Sequence, residues 1–407
     1  MPLPTTNRNG IAAQADHGRS NILRLALCQA LAGANSTVVF ATGAVIGDSL
    51  APSKALATLP ITVFVIGMAA GTLPAGALAQ RYGRRSAFLM GAGCGILVGL
   101  LAAAAIDLAS FALFCAGMFF GGVYAAVVLS FRFSAADCVP PMQRPGALSA
   151  VMAGGVLAGI LGPQLVTYTM HLWSPHTFAV TYLAQAAIAL LSGIILWGVK
   201  LPPLTIADRS RGRPLALIAR QPRFVVAVLC GVISYLLMNL IMTSAPLAMK
   251  MCGLPLTASN LGLQWHVIAM YAPSFFTGRL ITRFGAPQIV MTGLLLTAVS
   301  IAAGLTGVDV THFWLTLALL GMGWNFGFVG ASALVLECHR PEERAKVQSL
   351  NDFVVFGIMV VGSFASGGLL TGYGWSGVCL AAIPPLLLAA VALVATDSFR
   401  SRTVETC

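Results

Sequence analysis

Charge is what this sequence lacks most. Only 9% of its 407 residues are charged, against 58% hydrophobic, where a soluble domain carries roughly a quarter charged residues. Too little polar sequence remains to cover an apolar core, so an ordinary soluble fold is excluded and the solvent is lipid. Acids are scarcer still, 12 against 23 lysines and arginines. The resulting net charge of +11 does not point to nucleic acid. The positive residues fall in short clusters between long apolar runs, never along one face of an amphipathic helix, which is how membrane-flanking charge is distributed. Cysteine pairing is missing as well. The nine cysteines stand singly, with no CxxC and no histidine at metal-ligand spacing, so neither a disulfide framework nor a metal site is expected. No GxxxxGK[ST] occurs, which argues against ATP-driven pumping by this chain alone. No group of His and carboxylate residues gathers at one depth, so an integral-membrane enzyme is not expected, and no cofactor is implied. A sensor would need an appended soluble domain, and both tails are short.

What is present is apolar length. A membrane-spanning helix needs about 20 mostly apolar residues. Twelve segments satisfy that rule: 22–45, 56–78, 87–106, 110–131, 147–168, 178–199, 224–247, 260–281, 288–305, 311–336, 347–370 and 377–394. The first is too long for a signal-peptide core and reads as a retained span. With the N-terminus placed in the cytoplasm, 21 of the 23 positive residues fall on that side, leaving only Lys54 and Lys250 opposite. Shifting the count by one span would scramble this asymmetry. The expectation is therefore an all-α membrane protein of twelve transmembrane helices, in the cell inner membrane, with both termini cytoplasmic.

The chain divides in the middle. Residues 200–223 hold Pro202, Pro203, Pro214 and Pro222 with six positive charges and read as a cytoplasmic linker between an N-terminal half, 1–199, and a C-terminal half, 224–407. The halves repeat each other. GALAQRYGRR at Gly76–Arg85 returns 202 residues later as GRLITRFGAP at Gly278–Pro287. Gly117-Met118 returns as Gly321-Met322, and Asn35 as Asn239, each 204 residues on. Two pseudo-symmetric six-helix halves are expected.

Gly76 followed by Gln80-Arg81-Tyr82-Gly83-Arg84-Arg85 resembles the loop between helices two and three of the major facilitator superfamily. Its degenerate second copy holds Gly278, Arg283 and Gly285, and the resemblance extends over the whole chain. It implies that superfamily's fold and a secondary active transporter working by alternating access. It also implies that Gly76, Gln80, Arg81, Gly83, Arg84, Arg85, Gly278, Arg283 and Gly285 form a conformational latch. One position departs. Gln80 stands where the family usually has Asp, and Asp352 is expected to restore the missing contact by pairing with Arg81 or Arg84. The stretches PEERAKVQSLNDF, Pro341–Phe353, and GWNFGF, Gly323–Phe328, also resemble one bacterial branch of the superfamily. The markers of drug–proton exchange are poor. Gly154, Gly155, Gly159 and Gly162-Pro163 are like the antiporters' element, but Ala158 and Val166 replace glycines, and Arg132 lies at the cytoplasmic end of its span.

The superfamily's architecture implies that spans 1, 4, 7 and 10 line the central path. Polar side chains inside a bilayer are costly and usually face a cavity or a partner helix. The lining spans carry Asn35, Tyr124, Asn239, Trp324 and Asn325, and the supporting spans add Gln164 and Gln264. These seven are the expected substrate contacts, with interhelical hydrogen bonding as the plainer role for each. No Lys or Arg lies at mid-depth, so a polyanion is not expected. Amides, hydroxyls and rings suit a small, neutral or weakly polar molecule, for example a heteroaromatic vitamin such as riboflavin taken up by a monomer. The alternative is efflux of drugs or metabolites. His266 and Asp352 are the titratable groups within spans and so the candidates for coupling to protons. His266, about 18 Å from Gly278 along its helix at 1.5 Å per residue, is the better candidate of the two, because a buried imidazole titrates near physiological pH.

Overall fold

The computed structural model describes residues 8–53, 56, 59–199 and 212–404. Lys54 and the linker positions Lys200 to Arg211 lie outside the described residues. The described chain is helical throughout, without a strand. In lipid, a backbone must satisfy its own polar groups, and a helix does so within one segment.

In the N-terminal half, α1 is Arg8–Leu50, α2 is Leu59–Tyr82 and α3 is Arg84–Asp107. The next, α4, is Phe111–Leu129 continued by Phe131–Asp137, α5 is Arg144–Ala153 continued by Gly155–Thr169, and α6 is Ala179–Trp197. In the C-terminal half, α7 is Pro222–Met251, α8 comprises Leu256–Tyr271 and Ser274–Phe284, α9 is Ala286–Thr306 and α10 is Val310–Leu336. The segment Arg344–Ala381 contains α11 and the start of α12, separated at Gly374, whose φ of 66° no other residue type adopts readily. Ile383–Val404 completes α12.

Among the described residues eleven helices are long and apolar enough to cross a membrane. The twelfth span is α8, which is interrupted at Pro273. Proline has no N–H to give to the preceding turn, so the helix restarts at Ser274. The fold is therefore the expected twelve-helix bundle with one span broken. A second difference is at the start, where α1 begins at Arg8, well ahead of the apolar run at Ile22.

The repeat read from the sequence is a repeat of backbone geometry. Gly83, between α2 and α3, has φ 89° and ψ 157°, and Gly285, between α8 and α9, has φ 92° and ψ 152°. Both lie in the region glycine enters without a Cβ clash. The halves touch along α2–α11 and α5–α8. A Cβ on Gly76 would stand 1.9 Å from the Ser349 hydroxyl of α11, and one on Gly278 would stand 2.6 Å from the Pro145 carbonyl. These two glycines let the halves close on each other at the Arg-rich end of the bundle, called here the basic side.

Candidate functional site: a central aromatic cluster above a charged seam

The basic side is closed by charge. Arg84 donates to Asp137 and to Gln348, each at 2.5 Å, so it joins α3 to α4 and to α11 of the other half. Gln348 in turn lies 3.1 Å from His339 Nε2. Burial holds the His339 imidazole below its usual pKa. Arg213, from the linker, clamps the buried Glu343 carboxylate with Nε at 2.8 Å and Nη2 at 2.6 Å. The other basic residues of the repeated loops face outward: Arg81 lies over the Tyr82 ring at 5.2 Å, Arg85 over Trp197 at 4.6 Å and Arg283 over Phe284 at 5.1 Å. Gln80 is half-buried.

Asp352 pairs with neither Arg81 nor Arg84. Its partner is Arg132 of α4, at 2.6 Å, with the guanidinium wholly buried. Arg132 also donates to Ser332 at 3.2 Å and to the Leu129 carbonyl, and Asn351 donates to the same carboxylate oxygen at 2.9 Å. Arg84 is already engaged by Asp137 and Gln348, which is the physical reason for the exchange. Arg132 sits near the end of α4, as the sequence indicated. What the sequence did not show is that α10 and α11 cover it there. Between this pair and Arg84 is a cavity of about 30 Å³, lined by Thr72, Gly76, Ser130, Gln348, Ser349 and Asp352 among others.

Above the ion pair the C-terminal half stacks its rings. Phe328 lies face-on against the Arg132 guanidinium at 4.6 Å. Trp324, one turn further from the basic side, stacks on Phe328 with centroids 5.1 Å apart and planes 20° apart. Tyr235 of α7 meets Trp324, Phe328 and Phe356 edge-on at 5.6, 5.1 and 5.6 Å. Tyr271 of α8 meets Trp324 at 5.6 Å. Each edge-on contact suits the charge distribution of aromatic rings. Tyr271 lies flat against the other half, where a Cβ on Gly155 of α5 would come within 2.4 Å of its ring. Asn239 stands one turn beyond Tyr235 on the same face of α7. Its Nδ2 and the Trp324 Nε1 are buried donors without a protein partner. Gln264 is half-buried and shares the α8 face of Val267 and Tyr271 that looks to α5.

The other expected contacts are placed elsewhere. Asn325 spends its amide on the α8 break: Nδ2 donates to the Met270 carbonyl and to Ser274, both at 2.6 Å, and Oδ1 accepts from Thr277 at 2.7 Å. His266 is buried with Nδ1 2.7 Å from the Leu317 carbonyl of α10, inside one half. Tyr124 leans from α4 over Gly95 of α3. Gln164 is exposed on the side of α5 opposite Gly155 and Gly159, which pack on α8. Asn35 is buried on the α1 stripe of Cys28 and Thr42, which faces α6. Sequence reasoning missed Arg132, Tyr235, Phe328 and Phe356. Tyr235 carried a signal, standing four residues before Asn239 on a lining helix.

Two six-helix halves closing around a central path are the architecture of a secondary transporter. The chain belongs to the Major Facilitator Superfamily, whose model matches residues 25–269 and 227–405. It is 44% identical to the Riboflavin transporter RfnT of Brucella anthropi, over 93% of this chain and 96% of that one. It is 30% identical to the uncharacterized MFS-type transporter YdeG of Bacillus subtilis, over 86% of this chain and 84% of that protein. Among solved structures, the proton:xylose symporter XylE matches with a TM-score of 0.76 at 16% identity, covering 93% of this chain and 95% of that chain. The Escherichia coli fucose:proton symporter FucP matches with 0.71 at 16% identity, over 92% and 97%. At these identities the two structures establish the fold alone.

Proposed function

We propose that this chain takes up riboflavin across the cytoplasmic membrane as a monomer, by alternating access, with the basic side and both termini in the cytoplasm. The observation that carries the reading is the 44% identity to a riboflavin transporter over 93% of the chain. The site supports it chemically. Riboflavin presents a flat heteroaromatic ring system with carbonyl acceptors. The central cluster gathers the rings of Trp324, Tyr235 and Tyr271, with unpaired donors at Trp324 Nε1 and Asn239 Nδ2. Gln264 lies on the adjoining face. The basic-side orientation rests on the 21-to-2 distribution of positive charge.

Coupling to protons belongs to Asp352 rather than His266 in this reading. Asp352 bonds across the halves, so its surroundings change when they separate, whereas His266 bonds within one half and keeps its partner. Protonating Asp352 would release Arg132 and loosen the basic side.

Uptake of radiolabelled riboflavin into cells that neither make nor import the vitamin tests the proposal. Expression of this chain should give saturable accumulation that collapses with the pH gradient. Failure to accumulate riboflavin, together with lowered retention of cationic dyes, would favour the efflux alternative.

A further inference from the structure

Between α1 and α6 the N-terminal half buries more polar groups than it pairs. Cys28 donates to the Ser192 carbonyl at 3.7 Å, and Thr42 meets the Tyr182 hydroxyl at 3.0 Å. Asn35 stands seven residues from each of Cys28 and Thr42, and Gln185 stands seven before Ser192. Seven residues are close to two helical turns, about 10.5 Å of rise. In antiparallel helices the Cys28–Ser192 contact therefore sets Asn35 opposite Gln185. Asn35 is 3% exposed and Gln185 0%, yet none of their four amide atoms has a protein partner. Toward the basic side of this pair, Tyr124 enters from α4. Its hydroxyl reaches toward the Ser192 side chain, and neither hydroxyl makes a hydrogen bond of regular geometry.

These groups sit on the face of α1 that looks to α6, some 200° round the helix, at about 100° per residue, from the Gly33 face packed on α5. They belong to the N-terminal half alone, and none of them takes part in the aromatic cluster's contacts or the Arg84 network. Their chemistry defines a ligand. Amides and hydroxyls offer donors and acceptors together and no net charge, so an ion finds no counter-charge here. Buried polar groups are paired with protein or with internal water, and water is small, neutral and both donor and acceptor. We infer that internal water molecules are bound between α1, α4 and α6, bridging Asn35, Gln185, Tyr124 and Ser192. This hydration site lies inside the N-terminal half, separate from the central path and independent of which substrate the chain carries. Its consequence is mechanical. Amides bonded through water keep their partners while α1 shifts against α6, where a direct amide–amide bond would have to break.

Hydroxyl-radical footprinting of the purified full-length protein tests this, because radicals form from bound water and mark the side chains beside it. The half supplies its own control: Tyr124 and Tyr182 are equally buried, and Tyr182 is paired with Thr42. Tyr124 should be oxidised and Tyr182 should not. In the Asn35→Leu/Gln185→Leu double variant, oxidation of Tyr124 should fall to the level of Tyr182. The melting temperature should drop in Asn35→Leu alone and recover in the double variant. A Tyr124 as unmarked as Tyr182 in the unaltered protein overturns the inference, whatever the variants do.

Discussion

The two halves share a backbone repeat and differ in what fills them. In the C-terminal half α7, α8, α10 and α11 meet over rings: Tyr235 touches Trp324, Phe328 and Phe356, and Trp324 touches Phe328 and Tyr271. In the N-terminal half α1, α4 and α6 meet over Asn35, Gln185, Tyr124 and Ser192, whose side chains lack regular partners. Asn239, which stands 204 positions after Asn35, lies instead one turn from Tyr235 of the ring cluster. The repeat thus preserved the geometry of the turns, at Gly83 and Gly285, while the chemistry of the cores diverged. A symmetric scaffold carries asymmetric filling: the rings gather in one half, and the other supplies Gly155, against which Tyr271 packs.

The largest expected effect lies at the joint between the halves. Arg132→Ala leaves the Asp352 carboxylate buried and unpaired, which should cost about 3–5 kcal/mol. The melting temperature in detergent should fall steeply, and Arg132→Met combined with Asp352→Leu should recover most of the loss. An unchanged melting temperature in the single variant would mean that the pair does not form. Next in size is Gly76→Val. Its side chain would be driven into Ser349, so the basic side should not close and uptake should be abolished in a protein that still folds. Normal uptake by folded Gly76→Val would show that α2 and α11 need not approach closely.

A smaller effect sharpens the contrast between the two asparagines. Asn239→Ala should weaken riboflavin affinity roughly tenfold, about 1.4 kcal/mol, with little change in melting temperature. Asn35→Ala should do the reverse, lowering stability and leaving affinity intact. The same response at both positions would remove the asymmetry. Smallest of all is His266→Gln, expected to change stability by about 1 kcal/mol or less, the usual scale of an interhelical hydrogen bond. It should leave the pH dependence of uptake in place, and Asp352→Asn should flatten it. Uptake that loses its pH dependence in His266→Gln would move coupling to the imidazole.

The helices, the two halves and the paired glycine turns were legible because each leaves a linear trace: apolar length, a mid-chain run of prolines and positive charge, and a repeated motif. Depth was legible too, and Asn35, Asn239 and Trp324 all lie well inside the bundle. Facing was not. Asn35 and Asn239 look equivalent along the chain, yet one sits opposite Gln185 and the other beside Tyr235, because each residue turns a helix by about 100° and a linear repeat does not show which neighbour a face meets. Asn325 adjoins Trp324 and serves a different purpose, since only the structure shows that the Pro273 break leaves α8 in need of its amide. The Arg132–Asp352 pair is 220 residues apart in sequence, and neither span announces its partner. Gln80 signalled that the usual charge contact was altered without saying where its replacement lay.

In the proposed function a riboflavin ring rests on the C-terminal aromatic cluster. Flavin fluorescence reports it directly, because stacking on an indole quenches the excited isoalloxazine. Titrating riboflavin with the purified protein should quench its emission saturably. Trp324→Leu, with its melting temperature checked to confirm folding, should lose most of that quenching, while Trp173→Leu, at an exposed position outside the cluster, should retain it. Saturable binding without quenching, or quenching that survives in folded Trp324→Leu, would contradict the account.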